Sequence, residues 1–147
     1  MLGSAAFPVP PGPSMKTVIT FGTYDLFHVG HVRLLLHARQ LGARLVVGVS
    51  TDDLNFAKKG YRPIFSQADR REIVGAVAGV DQTFFEESLE LKGEYIKTYK
   101  ADILVMGDDW KGRFDQFKKL CEVVYLPRTH GISTTGIKED TVKRALQ

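Results

Sequence analysis

Two histidines three residues apart, His28 and His31, are the side chains of this sequence best placed to act on an anion. Gly30 lies between them, and the apolar run Val18 to Phe21 ends shortly before them at Gly22. Residues three apart share one side of a helical turn, so both imidazole rings can face one ligand. The first N–H groups of a helix lack partners and carry partial positive charge, which suits a phosphate. The spacing therefore indicates a polyphosphate site at the start of a helix.

Two other interpretations of the histidine pair stay open at this point. The histidines could ligate zinc, but zinc needs three or four protein ligands, and the remaining candidate side chains are scattered along the chain. They could also cap and pack the start of the helix, which is the default role for a lone histidine. Their position beside a glycine and directly after a strand favours the phosphate site.

The elements that must position these residues follow from an alternation of apolar runs and helical patterns. A helix is predicted after the first run, with Val32, Leu35 and Leu36 on one face. The order βαβαβαβ predicts one α/β domain with a Rossmann-like, five-stranded parallel sheet and helices on both faces. The predicted strands are Val18 to Phe21, Arg44 to Ser50, Val80 to Phe85, Asp102 to Gly107 and Cys121 to Leu126. The later helices are predicted from Ser66, over Leu89 to Tyr99, around Phe114 to Leu120 and over Ile137 to Leu146.

Several local features accompany this alternation. Gly42 is predicted to end the first helix in a left-handed conformation. A basic loop containing Lys58 and Lys59 is expected after the second strand, at the carboxyl edge where open α/β sheets bind ligands. Asp25 is expected to order its turn through a local Asx-type hydrogen bond, and Cys121 to be buried in a strand.

Composition excludes several classes of protein. The chain has 147 residues with a formal net charge of +3 and dispersed basic residues, so no nucleic-acid footprint is indicated. It has a single cysteine, which rules out a disulfide framework within one chain. No apolar stretch has membrane-spanning length and no secretory signal pattern opens the chain, so a cytoplasmic protein without a membrane partner is expected.

Residues 1–14 differ from the rest of the sequence. They hold four of the six prolines and no charged residue, a composition that favours neither a helix nor a strand ladder. We expect this segment to be an expression remnant or a disordered leader, and residues 15–147 to form the folded domain.

Four segments together resemble one known family. T-Y-D-L-F-H-V-G-H at 23–31 resembles the H-x-G-H signature of the nucleotidyltransferase superfamily. With V-S-T-D-D-L-N, V-M-G-D-D-W and L-P-R-T-H-G-I-S-T-T, it is similar in order and spacing to the glycerol-3-phosphate cytidylyltransferases, over nearly all of Met15 to Ala145. The last segment is the most specific, because R-T-x-G-I-S-T-T is typical of the cytidylyl branch.

The resemblance implies roles for particular residues. His28, His31 and Arg128 are implied to be catalytic, and Lys58, Arg70 and Lys92 to bind the second substrate. From the residues alone, the two lysines would be solvated surface charges. The implied nucleotide-binding residues are Thr23, Tyr24, His28, His31, Asp109, Arg128, Thr129, Gly131, Ile132, Ser133, Thr134 and Thr135.

The resemblance also implies a reaction, in which CMP passes from CTP with Mg²⁺ to sn-glycerol 3-phosphate, giving CDP-glycerol and pyrophosphate. It implies no metal ligand set in the protein, a homodimer and a place in teichoic-acid or related polymer synthesis. The same chemistry with another phosphorylated alcohol (a polyol phosphate or choline phosphate) or with ATP stays open. So does a CTP-binding module without catalysis.

The chain departs from the family pattern at two positions. Ala78 stands where the family usually has arginine in R-Y-V-D, which predicts a missing cation near the phosphates, with Arg62 or Arg71 as candidate substitutes. His130 replaces an acidic residue and changes the charge of the last loop.

Overall fold

The computed structural model describes residues 15–147, and the predicted leader at residues 1–14 lies outside them. The strands are β1 Thr17–Gly22, β2 Arg44–Ser50, β3 Gln82–Glu86, β4 Ile103–Gly107 and β5 Glu122–Leu126. The α-helices are α1 Val29–Arg39, α2 Asp52–Lys59, α3 Gln67–Gly75, α4 Lys92–Thr98 and α5 Thr134–Ala145. Short 3₁₀ helices cover Leu89–Leu91, Asp108–Trp110 and Asp115–Lys119.

The five strands form one parallel sheet in the order β3-β2-β1-β4-β5, as the alternation predicts. The chain therefore winds from β1 toward β3 and then crosses back to β4 on the other side of β1. The pairing of β1 with β4 ends at Thr20 and Val105, where the Thr20 hydroxyl donates to the Val105 carbonyl oxygen at 2.6 Å. Such a reversal of direction opens a crevice at the carboxyl ends of the two strands.

Helices cover both faces of the sheet and give the domain two apolar cores. On one face, Leu35 of α1 and Val74 of α3 pack against side chains such as Val47 and Val105. On the other face, Ile96 of α4 packs with Phe84 and Leu104. All residues of β2 after Arg44 are buried, because the strand lies inside the sheet and is covered on both faces.

Four local predictions are wrong in detail. Lys58 and Lys59 lie in helix α2 rather than in a loop, since Thr51 caps this helix by accepting from the Leu54 N–H, and the loop begins only after them. Gly42 does not adopt a left-handed conformation. A β-carbon there would lie 2.5 Å from the Lys16 carbonyl oxygen, so close backbone approach explains the glycine. Cys121 is only half-buried and precedes β5, and the final helix begins three residues earlier than predicted.

Within a single chain, the prediction that Ala78 leaves a cation missing near the phosphates is also wrong, because Ala78 is not near the crevice. Ala78 lies between α3 and β3, at the amino edge of the parallel sheet and opposite the crevice. The predicted substitutes also have other partners: Arg62 pairs with Asp53 at 2.8 Å, and Arg71 lies over the Phe85 ring.

Arg70 of α3 joins the carboxyl-edge loops to one another. Its side chain is fully buried, and its guanidinium donates to the carbonyl oxygens of Thr23, Ser50 and Phe65 at 2.7–3.0 Å. It also forms an ion pair with Asp52 at 2.8 Å. Because three loops depend on a single planar group, Arg70 fixes the shape of the crevice.

No helix among residues 15–147 combines the length and the apolar character needed to cross a lipid bilayer.

We predict that Arg70→Ala lowers the free energy of unfolding by about 3–5 kcal/mol, because it removes the ion-pair partner of the half-buried Asp52 and the donor to three backbone carbonyl oxygens. Arg33→Ala, at an exposed position of α1, is the matched control and should change stability by less than about 0.5 kcal/mol. Urea denaturation of both variants measures the difference. Equal midpoints for the two variants would contradict the role given to Arg70.

Candidate active site

Two adjacent cavities occupy the crevice between β1 and β4. The first, here called the histidine cavity, has a volume of about 270 Å³ and contains His28, His31 and Arg128 on its wall. The second, here called the lysine cavity, has a volume of about 650 Å³ and contains Lys58 and Lys92. The two share the wall formed by Phe21, Gly22, Thr23, Met106 and Trp110.

The two histidines form a reciprocal cap at the start of α1. The Nδ1 atom of His28 accepts a hydrogen bond from the Gly30 N–H at 3.1 Å, and that of His31 accepts from the His28 N–H at the same distance. The rings stack with their centroids 3.8 Å apart. A β-carbon on Gly30 would lie 2.9 Å from the His28 ring, so glycine is needed for this packing. Capping the start of the helix is thus one role of the pair, as the second alternative interpretation of the histidines proposed.

The cap also determines the protonation of the two rings. Burial, and to a smaller extent the nearby charge of Arg128, lowers the pKa of His28. Burial and then the neighbouring His28 lower the pKa of His31 to about 4, although the Asp25 carboxylate partly opposes this shift. Both histidines are therefore neutral near pH 7. Since each Nδ1 accepts a hydrogen bond, each proton resides on Nε2.

Neutral rings of this tautomer offer two N–H donors to an anion in the histidine cavity. A bound polyphosphate would raise both pKa values, because its charge favours the imidazolium form. The pair can thus stabilise negative charge that develops on phosphate oxygens.

Most of the predicted nucleotide-binding residues come together in the histidine cavity. It includes every one of them except Gly131 and Thr135. Gly131 lies with His130 in a groove beside the first turns of α5, and Thr135 lies in a third cavity beside Lys138. Tyr24 is 3% exposed, so it offers a ligand mainly its backbone.

Arg128 and Asp109 meet across the mouth of the histidine cavity. Their side chains form an exposed ion pair, with a distance of 2.9 Å between Arg128 Nη1 and Asp109 Oδ2. Asp109 follows β4 and Arg128 follows β5, so the pair links two neighbouring carboxyl-edge loops. Ser133 caps α5 by accepting from the Gly136 N–H, and this places a second helix start at the same cavity.

Asp25 ties the histidine turn to distant segments. Its carboxylate is buried and accepts from the Ile64 and Phe65 N–H groups at 2.8 and 2.9 Å, and its carbonyl oxygen accepts from the Thr134 hydroxyl. The predicted local Asx-type bond is therefore replaced by contacts about 40 residues away in sequence. These contacts hold α5 and the loop after α2 against the turn.

The lysine cavity contains both predicted lysines, but not in equivalent environments. Lys58, near the end of α2, is exposed, whereas Lys92 is buried and forms an ion pair with Glu86 at 2.6 Å. Arg70, the third predicted substrate residue, lines none of the cavities described here, because its donors are directed to the backbone.

The residues of the lysine cavity that sequence reasoning missed include two charged side chains and the tryptophan, namely Glu86, Arg113 and Trp110. Glu86 is the last residue of β3, and the rule that ligands meet the carboxyl ends of parallel strands could have identified it. Trp110 ends the quoted V-M-G-D-D-W segment. Arg113 carried no comparable signal.

No group of three or more His, Cys, Asp or Glu side chains is arranged to hold a metal ion within residues 15–147.

The parallel sheet, the crevice and the histidine cap define a nucleotide-binding α/β domain of the nucleotidyltransferase kind. Residues 19–140 match the family model described as cytidylyltransferase-like, and the chain belongs to that family.

Curated relatives narrow this class, and they confirm the resemblance found in the sequence. A glycerol-3-phosphate cytidylyltransferase of Bacillus subtilis is 50% identical over 126 residues, covering 86% of this chain and 97% of the relative. A protein of the same name from Staphylococcus aureus is 44% identical over 128 residues, covering 86% and 95% of the two chains.

A solved structure shares the fold. The lipopolysaccharide core biosynthesis protein from Thermoplasma volcanium has a TM-score of 0.69 at 25% identity, and the match covers 79% of this chain and 99% of that one.

We predict that the ligand-free protein loses stability as the pH falls from about 6.5 toward 4. The unfolded chain binds a proton at His31 near the ordinary histidine pKa of 6.5, whereas the folded chain does so only at about 4. The unfolded state therefore holds more protons in this window, so the stabilisation is complete above pH 6.5 and is lost as the pH falls. Thermal unfolding of the parent should show a Tm decrease of several degrees from this source.

The control is His31→Asn, whose side-chain oxygen can still accept from the His28 N–H but does not titrate. Its Tm should fall less steeply over the same window. Parallel Tm curves for the parent and this variant would show that His31 does not cause the pH dependence.

Proposed function

We propose that this protein transfers CMP from CTP to sn-glycerol 3-phosphate, forming CDP-glycerol and releasing pyrophosphate. The observation that carries the proposal is the shared wall between the histidine cavity and the lysine cavity. Two phosphate-bearing substrates can meet there, one on neutral histidines and a helix start, and the other on lysines. The names of the curated relatives support the same donor and acceptor.

In this reaction, an oxygen of the acceptor phosphate attacks the α-phosphorus of CTP and pyrophosphate leaves on the opposite side. No covalent enzyme intermediate is needed, so catalysis consists of positioning the substrates and stabilising charge. His28 and His31 donate through Nε2 to the phosphate oxygens. Arg128 leaves Asp109 to meet the triphosphate, and the N–H groups at the start of α5 bind the leaving pyrophosphate.

We propose Mg²⁺ as the metal partner of CTP. Asp109 is the carboxylate on the wall of the histidine cavity, and it is paired with Arg128. This donor set fits a metal held mainly by the triphosphate oxygens, which is a usual arrangement for Mg²⁺. When bound, the metal would neutralise part of the triphosphate charge.

The charge of the lysine cavity argues for an acceptor without a positive group. Lys58, Lys59, Lys92 and Arg113 line it, and the Glu86 carboxylate is bonded to Lys92. A glycerol phosphate dianion meets four cations there and one carboxylate, whose charge is already offset by Lys92. The ammonium group of choline phosphate would face four cations, so this acceptor is disfavoured.

The test is pyrophosphate release from the purified protein with CTP, Mg²⁺ and sn-glycerol 3-phosphate. We expect rapid release with this set, and at least about tenfold less with choline phosphate, because like charges in the cavity oppose its binding. Release with ATP or another phosphorylated alcohol instead would keep the mechanism and change the substrate. CTP binding without release for any acceptor would identify a binding module.

The His28→Ala and His31→Asn variants should release pyrophosphate about 10²–10³ times more slowly than the parent, because each lacks the imidazole Nε2–H that donates to the transition state. His37→Ala, at an exposed position of the same helix, is the matched control and should behave as the parent. Near-parental rates in both active-site variants would contradict their assignment.

We further propose a cytoplasmic homodimer that supplies activated glycerol for teichoic-acid or related surface-polymer synthesis. The resemblance to the family supports both the pathway and the dimer. A group of exposed apolar side chains near the crevice offers a surface for pairing: Phe56, Tyr61 and Ile64 are 50%, 53% and 60% exposed.

If this surface pairs two chains, replacing Ile64 by Asp should shift the protein from dimer to monomer at micromolar concentration, because a charge would have to be buried in an apolar contact. Light scattering measures the mass. Val142→Asp, at a similarly exposed apolar position on α5, is the control. A monomeric parent would contradict the dimer, and a dimeric Ile64→Asp variant would contradict the surface.

A further inference from the structure

Glu86 is a buried carboxylate at the end of β3 that the reaction described above does not use. Only 2% of its surface is exposed, and its Oε2 atom accepts from Lys92 Nζ at 2.6 Å. Glu86 and Lys92 come from different elements, β3 and the first turn of α4. Burying two charges carries a large desolvation cost, so a pair beside a cavity calls for a reason beyond stability.

The Lys92 ammonium is held from several sides. It lies 3.8 Å from the centre of the Phe21 ring and 5.4 Å from that of Phe114. Contacts of a cation with the faces of aromatic rings are favourable. Together with the Glu86 carboxylate, these ring contacts hold the Lys92 ammonium in one position.

Every other charged side chain on this cavity is a cation. Lys58 and Lys59 lie on α2, and Arg113 follows the 3₁₀ helix at Asp108–Trp110. Burial is the main cause that lowers the pKa of Lys92, and Lys58 lowers it further, whereas Glu86 raises it. Without Glu86, the buried ammonium would have no opposite charge beside it and would lose its proton more easily.

We propose that Glu86 is a positioning residue, which keeps Lys92 charged and directed toward the phosphate of the acceptor. This inference rests on the proposed function. It gives the two lysines different roles. Lys58 is an exposed cation whose side chain can adjust to the substrate, whereas Lys92 is held in position by its carboxylate partner before the substrate binds. The acceptor phosphate then meets a preorganised charge, which lowers the cost of ordering it on binding.

The test compares Glu86→Gln with the parent, using the KM for sn-glycerol 3-phosphate at saturating CTP. We expect the acceptor KM to rise about tenfold or more near pH 8, the size of a lost charge-assisted contact, with the KM for CTP unchanged. The fall of kcat/KM on the alkaline side should also begin at lower pH in the variant, because Lys92 then loses its proton earlier. The ¹³Cε resonance of Lys92 reports that titration without any turnover.

Matched variants separate positioning from a general loss of structure. Glu87→Gln removes an exposed carboxylate next in sequence and should leave both the KM and the pH profile unchanged. In a Lys92→Met background, Glu86→Gln should add no further rise in the acceptor KM, because its effect passes through Lys92. If Glu86→Gln does not fold, Glu86→Asp replaces it, with a raised acceptor KM and the parental alkaline limb expected.

Two failures can be told apart. If the parent releases no pyrophosphate with any acceptor, the proposed function is wrong, and this inference with it. If the parent is active but the folded Glu86 variant keeps the parental acceptor KM and Lys92 titration, only the inference is wrong. An equal KM rise in the Lys92→Met background would also overturn it, since Glu86 would then act on the acceptor without Lys92.

Discussion

The buried guanidinium of Arg70 is the contact on which the site depends. It holds the Thr23 carbonyl after β1, the Ser50 carbonyl at the end of β2 and the Phe65 carbonyl before α3. Loops at the carboxyl edge of a parallel sheet carry backbone groups that no strand satisfies, and a planar group with five donors can satisfy several at once. The ion pair with Asp52 neutralises its charge. The loops that form the crevice are therefore held in place before any ligand binds.

The two cavities of this crevice offer an anion different kinds of donor. In the histidine cavity, the donors are neutral imidazoles whose pKa values are lowered by burial, so they become more basic only as a polyphosphate approaches. In the lysine cavity, the donors are cationic side chains, and Glu86 compensates the most buried of them. Trp110 borders both cavities and is the single tryptophan of the chain, so its fluorescence can report a ligand that enters either cavity.

Particular residues show where sequence reasoning succeeded and where it failed. The alternation of apolar runs predicted the parallel sheet, and the spacing of His28 and His31 predicted that both rings share one side of a helix start, because each pattern follows from the periodicity of the sequence. Arg70 was expected to meet the substrate, although its donors hold the backbone behind the cavities. The sequence around Arg70 on α3 would look the same whether the side chain binds a substrate or the backbone. Only the carbonyl groups that follow β1 and end β2 show which of these two roles it has. Ala78 was misplaced for a similar reason: its position relative to the crevice depends on the direction of β3.

The sequence by itself determined the fold class, the family, the histidine motif and most of the residues that line the histidine cavity. These properties are local, since strand, turn, helix start and cap are each encoded within a few neighbouring residues. Only the tertiary structure decided that Asp25 bonds to Ile64 and Phe65, that Glu86 partners Lys92 and that one wall serves two cavities. Those facts depend on the strand order β3-β2-β1-β4-β5. That order brings together residues far apart in the chain, and packing of the whole domain selects it.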